Sequence, residues 1–309
     1  MIIGASSYIG WYLSEALAQH GMVIGTYYHT PKLPQHPNIF PLALDVRDAG
    51  QVKAIIARYH PTDIVNLAGY TMPDCCEDHQ AEAHALNVTG PNNIVTGSRQ
   101  CAARIIHIST CYVFSGDKPP FSQCYSEDDL AEPVNVYGKT KLLGERAILE
   151  YPKGIVCRVS HVYGPRKAHH APSIFTTAYD ALRHNHHFDI SSQNIITPIY
   201  LFDLINLLIE ILGSNVQHGL FHVAGPEITT KLEFAQKMCD VWNFDRELIQ
   251  LVNPTMKRAK RPLNSCLNTQ RVRDTFPCTF RTITEALLEV RSNLLPSKYE
   301  EPPWVEKTD

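Results

Sequence analysis

Apolar residues in the first half of the chain follow two alternating spacings. Short runs rich in β-branched residues predict β-strands at Met1–Ile3, Val23–Tyr28, Asp63–Leu67, Arg104–Ile108 and Ile155–Val159. The stretches between them carry apolar residues three and four positions apart, which predicts amphipathic helices at Tyr8–Gly21, Ala49–Tyr59, Gln80–Val88, Pro91–Ala102 and Val136–Glu150. This alternation predicts an α/β fold, a Rossmann-type doubly wound parallel sheet with crossover helices.

After Gly164 the pattern changes to loops, prolines and a histidine-rich stretch, with further helices predicted at Phe202–Leu212 and Leu232–Trp242. We therefore assign residues 1–165 to the doubly wound domain and residues 166–299 to a smaller C-terminal region. Segments at about 190–225 are expected to return to the first domain, so that the two are partly interleaved. Residues 300–309 lack periodicity and are predicted to form a flexible tail.

The composition narrows the class of protein. The chain has 309 residues, of which 44% are hydrophobic, and its formal net charge of −3 is spread without a run of one sign. This distribution argues against a nucleic-acid or membrane surface, and no apolar run is long enough to span a bilayer, so we expect a cytoplasmic protein. Nine cysteines without metal-ligand spacing are expected to be free thiols, and we predict no metal site. Five of the fifteen histidines, those of the histidine-rich stretch, are interpreted as solvated and lie at positions 169, 170, 184, 186 and 187.

A glycine turn follows the first predicted strand. Gly4-Ala5-Ser6-Ser7-Tyr8-Ile9-Gly10 opens the first helix, where free N–H groups and the helix dipole favour the pyrophosphate of a dinucleotide. An ordinary strand-to-helix turn is the alternative, and it gains weight because Ser7 stands where a glycine usually lets the backbone approach phosphate.

Two further segments support a nucleotide site. Asp45-Val46 follows an apolar run and can present a carboxylate to adenine, while the small residues of Asn66-Leu67-Ala68-Gly69 leave room for a ligand at a strand end. After the second strand, Tyr27, Tyr28, His29 and Thr30 stand where an NAD site usually has a carboxylate, and this favours NADP(H) over NAD(H).

Tyr137 and Lys141 lie four positions apart and share a face of the predicted helix. A lysine cation favours the phenolate, and it would make this tyrosine a usable acid or base near neutrality. A surface pair is the alternative. The catalytic interpretation is strengthened by Ser109-Thr110 at the end of the preceding strand, which supplies a hydroxyl for a substrate oxygen.

These segments occur together and in one order: GASSYIG, LDV, NLAGY, ALNVTGPNN, HISTCYVFSG, YGKTKLLGE and RVSHVYG. As a set they resemble extended short-chain dehydrogenase/reductases, and in particular the dTDP-4-dehydrorhamnose reductase family. The resemblance continues through Thr197-Pro198-Ile199-Tyr200 with Asp203, Gly219 to Gly225 and Arg261-Pro262-Leu263-Asn264, and so covers roughly residues 1 to 290.

The resemblance implies an NAD(P)-binding Rossmann domain, a substrate-binding C-terminal region and reduction of a 4-keto-6-deoxy nucleotide sugar. Tyr137 would donate a proton to the new alkoxide, Thr110 would hydrogen-bond that oxygen, and Lys141 would bind the nicotinamide ribose and lower the tyrosine pKa. Asn87 would support Lys141 through water. The resemblance also implies cofactor contacts at a further set of positions, Gly4, Ser7, Tyr8, Ile9, Gly10, Asp45, Val46, Ala68, Gly69 and Tyr70.

Three residues depart from the family pattern. Ser7 replaces a glycine, Cys111 replaces an aspartate and His161 replaces a tryptophan. Cys111 and His161, with Thr110, would contact the substrate, and their chemistry makes a sugar other than the rhamnose precursor plausible because a thiol and an imidazole bind and stack differently. We interpret Cys111 as a packing residue and not as a reactive thiol.

Two other functions fit the same motifs. The family includes the non-catalytic, NADP-binding β subunit of methionine adenosyltransferase, and nucleotide-sugar epimerases and dehydratases share the tyrosine–lysine pair with tightly held NAD. Oxidation of added NADPH by a sugar nucleotide distinguishes a reductase from both. We expect a small-molecule substrate and no nucleic-acid or membrane partner, and a homodimer is compatible with the family.

Overall fold

A computed structural model describes residues 1–118, 123–190, 194–252 and 259–293. Its strands, in chain order, are β1 (Ile2–Ile3), β2 (Val23–Tyr27), β3 (Ile39–Ala43), β4 (Asp63–Asn66), β5 (Arg104–Thr110), β6 (Gly154–Val159), β7 (Val162–Tyr163), β8 (Phe188–Ile190), β9 (Ile195–Ile196), β10 (Ile199–Tyr200), β11 (Gly219–Val223), β12 (Thr229–Thr230) and β13 (Ile249–Leu251).

The helices alternate with these strands. They are α1 (Tyr8–Ala18), α2 (Ala49–Tyr59), α3 (Pro73–Asp78), α4 (Gln80–His84), α5 (Gly90–Ser98), α6 (Val136–Leu149), α7 (Ile174–Arg183), α8 (Leu201–Gly213), α9 (Lys231–Trp242), α10 (Gln270–Thr275) and α11 (Ile283–Asn293). A π-helical turn at Ala85–Thr89 joins α4 to α5, and short 3₁₀ turns lie at Cys111–Val113 and Arg246–Leu248.

Seven strands form one parallel sheet in the order β11-β6-β5-β4-β1-β2-β3. The strand order reverses between β1 and β4, and in doubly wound sheets the crevice at such a reversal is where ligands bind. This arrangement confirms the predicted fold class. The last strand of the sheet, β11, comes from the second half of the chain and pairs with β6.

Helices cover both faces of the sheet. Trp11 and Leu13 of α1 pack with Leu204 and Leu208 of α8 on one face. On the other face, side chains of α2, α5 and α6 share a second core, which includes Val52, Ile56, Ile94 and Ile148. A separate core in the second half joins α7, α9 and α11 through Phe175, Phe234 and Leu287.

The long amphipathic helices and central strands lie where the sequence pattern predicted them, within a few residues. The edge strand β3 and helices α3, α7, α10 and α11 were not predicted. β3 contains Pro41, and Ile39 is its only buried residue, so its apolar signal is weak, which is typical of an edge strand. The tail predicted at residues 300–309 lies outside the described residues.

The prediction that all nine cysteines are free thiols is wrong for one pair. Cys124 and Cys266 form a disulfide across 142 residues of sequence. The chain segments meet because Tyr125 bridges to Leu267 and its N–H donates to the Cys266 carbonyl at 2.8 Å. A contact between two loops so far apart in sequence leaves no local pattern.

Candidate active site

The glycine turn lies between β1 and α1, at the carboxyl end of the central strand. Gly4 has φ of +81°, and a Cβ there would come within 2.9 Å of the Ala68 nitrogen. A Cβ on Gly10 would lie 2.3 Å from the Gly4 carbonyl, so both glycines are required by close packing. Ser7 is the N-cap of α1, and its hydroxyl accepts a hydrogen bond from the Gly10 N–H at 3.2 Å.

The N-cap role explains why serine can replace glycine at position 7. Ser7 has φ of −73° and ψ of 167°, an extended conformation that any residue adopts. Tyr8 and Ile9 occupy the first two helical positions, whose N–H groups have no acceptor within the helix. The turn therefore offers what a pyrophosphate needs: N–H donors, the positive end of a helix dipole and no obstructing Cβ at Gly4.

The predicted adenine-side residues follow β3. Val46 is buried against Gly90, whereas the Asp45 carboxylate is held by Arg47, with Nη2 to Oδ2 at 2.8 Å. That arginine lowers the pKa of Asp45. The Arg47 guanidinium also lies over the Tyr28 ring at 4.8 Å and bonds its hydroxyl, so a cation stands beside the end of β2.

Ala68, Gly69 and Tyr70 form the strand end beside the glycine turn. Asn87 holds this segment: its Oδ1 accepts from the Tyr70 N–H at 2.8 Å, and its Nδ2 donates to the Tyr70 carbonyl and to Thr140. Asn87 lies in the π-helical turn, an irregularity that often marks functional sites. These contacts fix the backbone of Tyr70 and tie it to Thr140 of α6, and the water-mediated support of Lys141 stays a prediction.

Thr110 and Tyr137 meet where β5 ends and α6 begins. The Thr110 hydroxyl accepts from the Tyr112 N–H at 3.2 Å and lies close enough to the Tyr137 phenol to act on its pKa, which it lowers against the larger effect of burial. The helix comes this close because residue 138 is glycine, where a Cβ would lie 2.1 Å from the Tyr112 carbonyl. Asn135 caps the helix by accepting from the Gly138 N–H at 2.8 Å.

Lys141 lies one turn further along α6 and is 3% exposed. Its Nζ donates to the Ile108 carbonyl at 2.7 Å and lies 3.3 Å from Nε2 of His107. Burial lowers the pKa of Lys141 to about 8 and raises that of Tyr137. The lowering of the tyrosine pKa by Lys141 stays a prediction, since burial has the largest effect on the phenol in this structure.

A cavity of about 1280 Å³ opens between the glycine turn and the second half of the chain. It is lined by Ser7, Tyr8, Tyr112, His161, Lys231 and Arg261, among others. The rings of Tyr112 and Tyr137 meet edge-on at 5.9 Å, and those of Tyr112 and His161 at 6.0 Å. The cavity thus adjoins the predicted catalytic tyrosine through the Tyr112 ring.

Cys111 and His161, the two departures from the family pattern that are predicted to contact the substrate, differ in their surroundings. His161 lines the cavity, its Nδ1 has no hydrogen-bond partner in the described structure, and burial lowers its pKa to about 3. Cys111 is 2% exposed and packs with Val113, Phe114 and Leu267. Burial raises the pKa of the Cys111 thiol to about 11, in agreement with a packing residue.

The interpretation of the histidines as solvated is wrong for two of the five. His170 is 5% exposed, and both His169 and His170 line the cavity. The loop after β7 folds them over Tyr8, whose ring lies 5.7 Å from that of His170. His184, His186 and His187 are exposed, as predicted.

Comparison with known proteins decides the family. The family described as RmlD substrate binding domain matches residues 1–295. The chain belongs to this family. The predicted resemblance to the extended dehydrogenase/reductases, and to their dTDP-4-dehydrorhamnose reductase branch, is confirmed.

Individual members of the RmlD family differ in function. A dTDP-4-dehydrorhamnose reductase of Aggregatibacter actinomycetemcomitans is 31% identical, over 81% of this chain and 87% of the relative. Methionine adenosyltransferase 2 subunit beta of Xenopus tropicalis is also 31% identical, over 73% of this chain and 68% of the relative. A solved dTDP-4-dehydrorhamnose reductase of Bacillus anthracis in complex with NADP superimposes with a TM-score of 0.79 at 25% identity, over 93% of this chain and 95% of that one.

Sequence reasoning missed three contacts that build this RmlD-type site. Glu145 and Arg158 form a buried bidentate pair between α6 and β6, and Ser109 also donates to Glu145. Arg261 forms a second pair with Asp74 at the cavity, at 2.8 and 3.1 Å. The third contact is that of His107 with Lys141. The residues of the two ion pairs lie 13 and 187 positions apart, so no helical or strand spacing links them.

The part of the chain that the structure describes contains no helix long and apolar enough to cross a lipid bilayer.

Proposed function

We propose that the protein reduces the 4-keto group of a nucleotide-activated 4-keto-6-deoxy sugar with NAD(P)H. The observation that carries the proposal is the meeting of Thr110, Tyr137 and Lys141 at the carboxyl ends of the central strands, beside the glycine turn. The bound cofactor would supply a hydride to the carbonyl carbon. The cofactor would be held by Gly4, Ser7–Gly10, Asp45, Val46 and Ala68–Tyr70.

Tyr137 would protonate the alkoxide that forms. Burial raises its pKa, so the phenol carries its proton at neutral pH and is ready to act as an acid. Thr110 accepts from the Tyr112 N–H, which leaves its own hydrogen free to be donated to the substrate oxygen or the phenol. Lys141 remains largely an ammonium below about pH 8 and can bind ribose hydroxyls.

Arg47 favours NADP(H) over NAD(H). Its guanidinium stands beside Tyr28 at the end of β2, where a dinucleotide places its adenine ribose. An arginine there accommodates a 2′-phosphate, whereas an acidic residue would bind the free ribose hydroxyls.

The substrate would occupy the cavity. Arg261 and Lys231 give its wall positive charge for a diphosphate, and His161 offers an unpaired ring nitrogen. The division into a cofactor domain at residues 1–165 and a substrate region at residues 166–299 belongs to this proposal, as do a homodimeric assembly and a cytoplasmic location.

The test is the loss of NADPH absorbance with a panel of 4-keto dTDP-, UDP- and GDP-sugars. Tyr137→Phe should lower kcat by about 10² to 10⁴-fold, because it removes the acid. The matched control is Tyr151→Phe, since Tyr151 is buried and its phenol donates a hydrogen bond to the Ala103 carbonyl, away from the site. Wild-type turnover by Tyr137→Phe would contradict the mechanism.

The same assay separates the alternatives. NADPH binding without turnover, together with binding to a methionine adenosyltransferase catalytic subunit, would favour a regulatory role like that of the subunit beta relatives. Conversion of a sugar nucleotide without net NADPH oxidation would indicate an epimerase or dehydratase.

A further inference from the structure

His107 lies in the middle of β5 and is completely buried. Its ring stands between Asn66 on β4 and Lys141 on α6. Nδ1 lies 3.0 Å from Asn66 Nδ2, and Nε2 lies 3.3 Å from Lys141 Nζ. The reaction proposed above uses Lys141 but assigns nothing to this imidazole.

The hydrogen bonds around Asn66 fix which ring nitrogen carries the proton. The Ala68 N–H donates to Asn66 Oδ1 at 3.1 Å, so the amide turns its Nδ2 hydrogens toward His107. Nδ1 of His107 must then accept, and a neutral imidazole that accepts at Nδ1 has its hydrogen on Nε2. Burial lowers the pKa of His107, which keeps the ring neutral. The Nε2–H therefore faces Lys141.

We propose that His107 is a positioning residue for Lys141, which holds the lysine nitrogen and presents it with an N–H donor that favours the unprotonated amine. After it loses its proton, Lys141 Nζ would accept from His107 and donate to the Ile108 carbonyl, so two neighbouring residues of β5 fix the amine nitrogen, whereas the ammonium has no lone pair and keeps only the bond to Ile108. The Ala68 backbone, at a predicted cofactor contact, is linked to Lys141 through Asn66 and His107. A hydrogen bond to the neutral form disfavours the charged form.

Other groups around Lys141 act differently. Glu145, one turn further along α6, attracts the ammonium and raises the pKa of Lys141. Arg158 of β6 and Ser109 of β5 already occupy the Glu145 oxygens. Asn87 of the π-helical turn is neutral. The N–H donor of His107 therefore lowers the pKa of Lys141, as burial does, whereas Glu145 raises it.

The first experiment reads the tautomer directly, without turnover. In ¹⁵N spectra of the histidine side chains at pH 7 and pH 9, His107 should show the Nε2–H form. His222 is an internal contrast, because it is equally buried and its Nδ1 faces the Tyr125 carbonyl at 3.0 Å, which requires the Nδ1–H form. The signals of these two histidines are assigned by their disappearance in His107→Gln and His222→Gln. An Nδ1–H form of His107 at either pH would overturn the proposal.

The second experiment measures the pH dependence of kcat/KM and rests on the proposed function. His107→Asn keeps a polar group toward Asn66 but loses the donor toward Lys141, so the alkaline limb should move up by about 1 pH unit. His107→Gln can place an amide N–H near the Nε2 position and should keep the wild-type limb. His222→Gln controls for lost core stability and should leave the limb in place.

The two proposals fail in different ways. If no sugar is reduced but the tautomer of His107 is Nε2–H, the proposed function fails and the role of His107 stands. If turnover is normal and His107→Asn leaves the alkaline limb unmoved, the role of His107 is wrong and the reductase stands.

Discussion

Two bidentate arginine–carboxylate pairs flank the site, and their surroundings are opposite. Glu145 and Arg158 lie in the interface of β5, β6 and α6, with side chains 1% and 5% exposed. Arg261 lines the cavity and is held by Asp74, with side chains 17% and 41% exposed. The first pair fixes the helix that carries Tyr137 and Lys141, whereas the second leaves charge at a surface that a ligand can reach.

Polar atoms in the interface and along the cavity also differ in how fully they are hydrogen-bonded. In the interface, Lys141 and Glu145 bond to protein partners. Along the cavity, His161 and His170 each have a buried ring nitrogen without a partner in the described residues. Arg158 Nη1 in the interface is also buried without a partner in those residues, so unpaired polar atoms are more numerous along the cavity but are not confined to it.

The largest expected effect separates the two ion pairs. Glu145→Gln should lower the free energy of unfolding by about 3–5 kcal/mol, because Arg158 is left buried without its counter-charge. Asp74→Asn, the matched change at the cavity wall, should cost about 1 kcal/mol or less. Urea unfolding of both variants measures the difference. Equal losses of unfolding free energy in the two variants would show that the interface does not depend on its ion pair more than the cavity wall does.

At the cavity wall the effect should appear in binding. Arg261→Met should raise the KM for the sugar nucleotide by about 10 to 100-fold, which is the loss of one charge-assisted hydrogen-bonded contact, and leave the KM for NADPH unchanged. Arg271→Met is the control, since Arg271 pairs with Asp128 outside the cavity. A rise in both KM values would place Arg261 at the cofactor instead.

Acid should weaken the interface through His107. Its folded-state pKa is lowered by burial, so the unfolded chain binds a proton first as pH falls below about 6.5. The neutral ring contributes its full stability above that pH and loses about 1.4 kcal/mol for each unit below it, until the folded pKa is reached. Urea unfolding at pH 7.5 and 5.5 should show this loss in wild type and less of it in His107→Gln. The exposed His184→Gln should match wild type.

The smallest effect should lie at the adenine side, where the Arg47 side chain is 28% exposed. Arg47→Ala should weaken NADPH binding by about fivefold, in line with a partly solvated charge contact, and leave NADH binding unchanged. Fluorescence titration of both cofactors measures the ratio. Equal weakening of the two would remove the case for a 2′-phosphate contact.

The contrast between the buried interface and the cavity wall also explains which parts of the site the sequence could predict. The helix spacing of Tyr137 and Lys141, the strand end at Thr110 and the glycine turn are local patterns, and the structure brings these residues together. His107 looked like one more apolar-strand position, because its partners Asn66 and Lys141 lie 41 and 34 residues away. The cavity wall was least predictable, since His170 and Arg261 lie in segments without periodicity.

The β6–β11 pairing has a consequence for synthesis of the chain on the ribosome. The seven-stranded sheet cannot be completed until Val223 has emerged, because β11 supplies the neighbour of β6. At a translation rate of roughly 5–20 residues per second, that strand follows Val159 by roughly 3 to 13 s. Throughout this interval the nascent chain displays an unpaired edge of β6, a strand whose six residues are all buried in the folded protein, and chaperones shield such edges from aggregation.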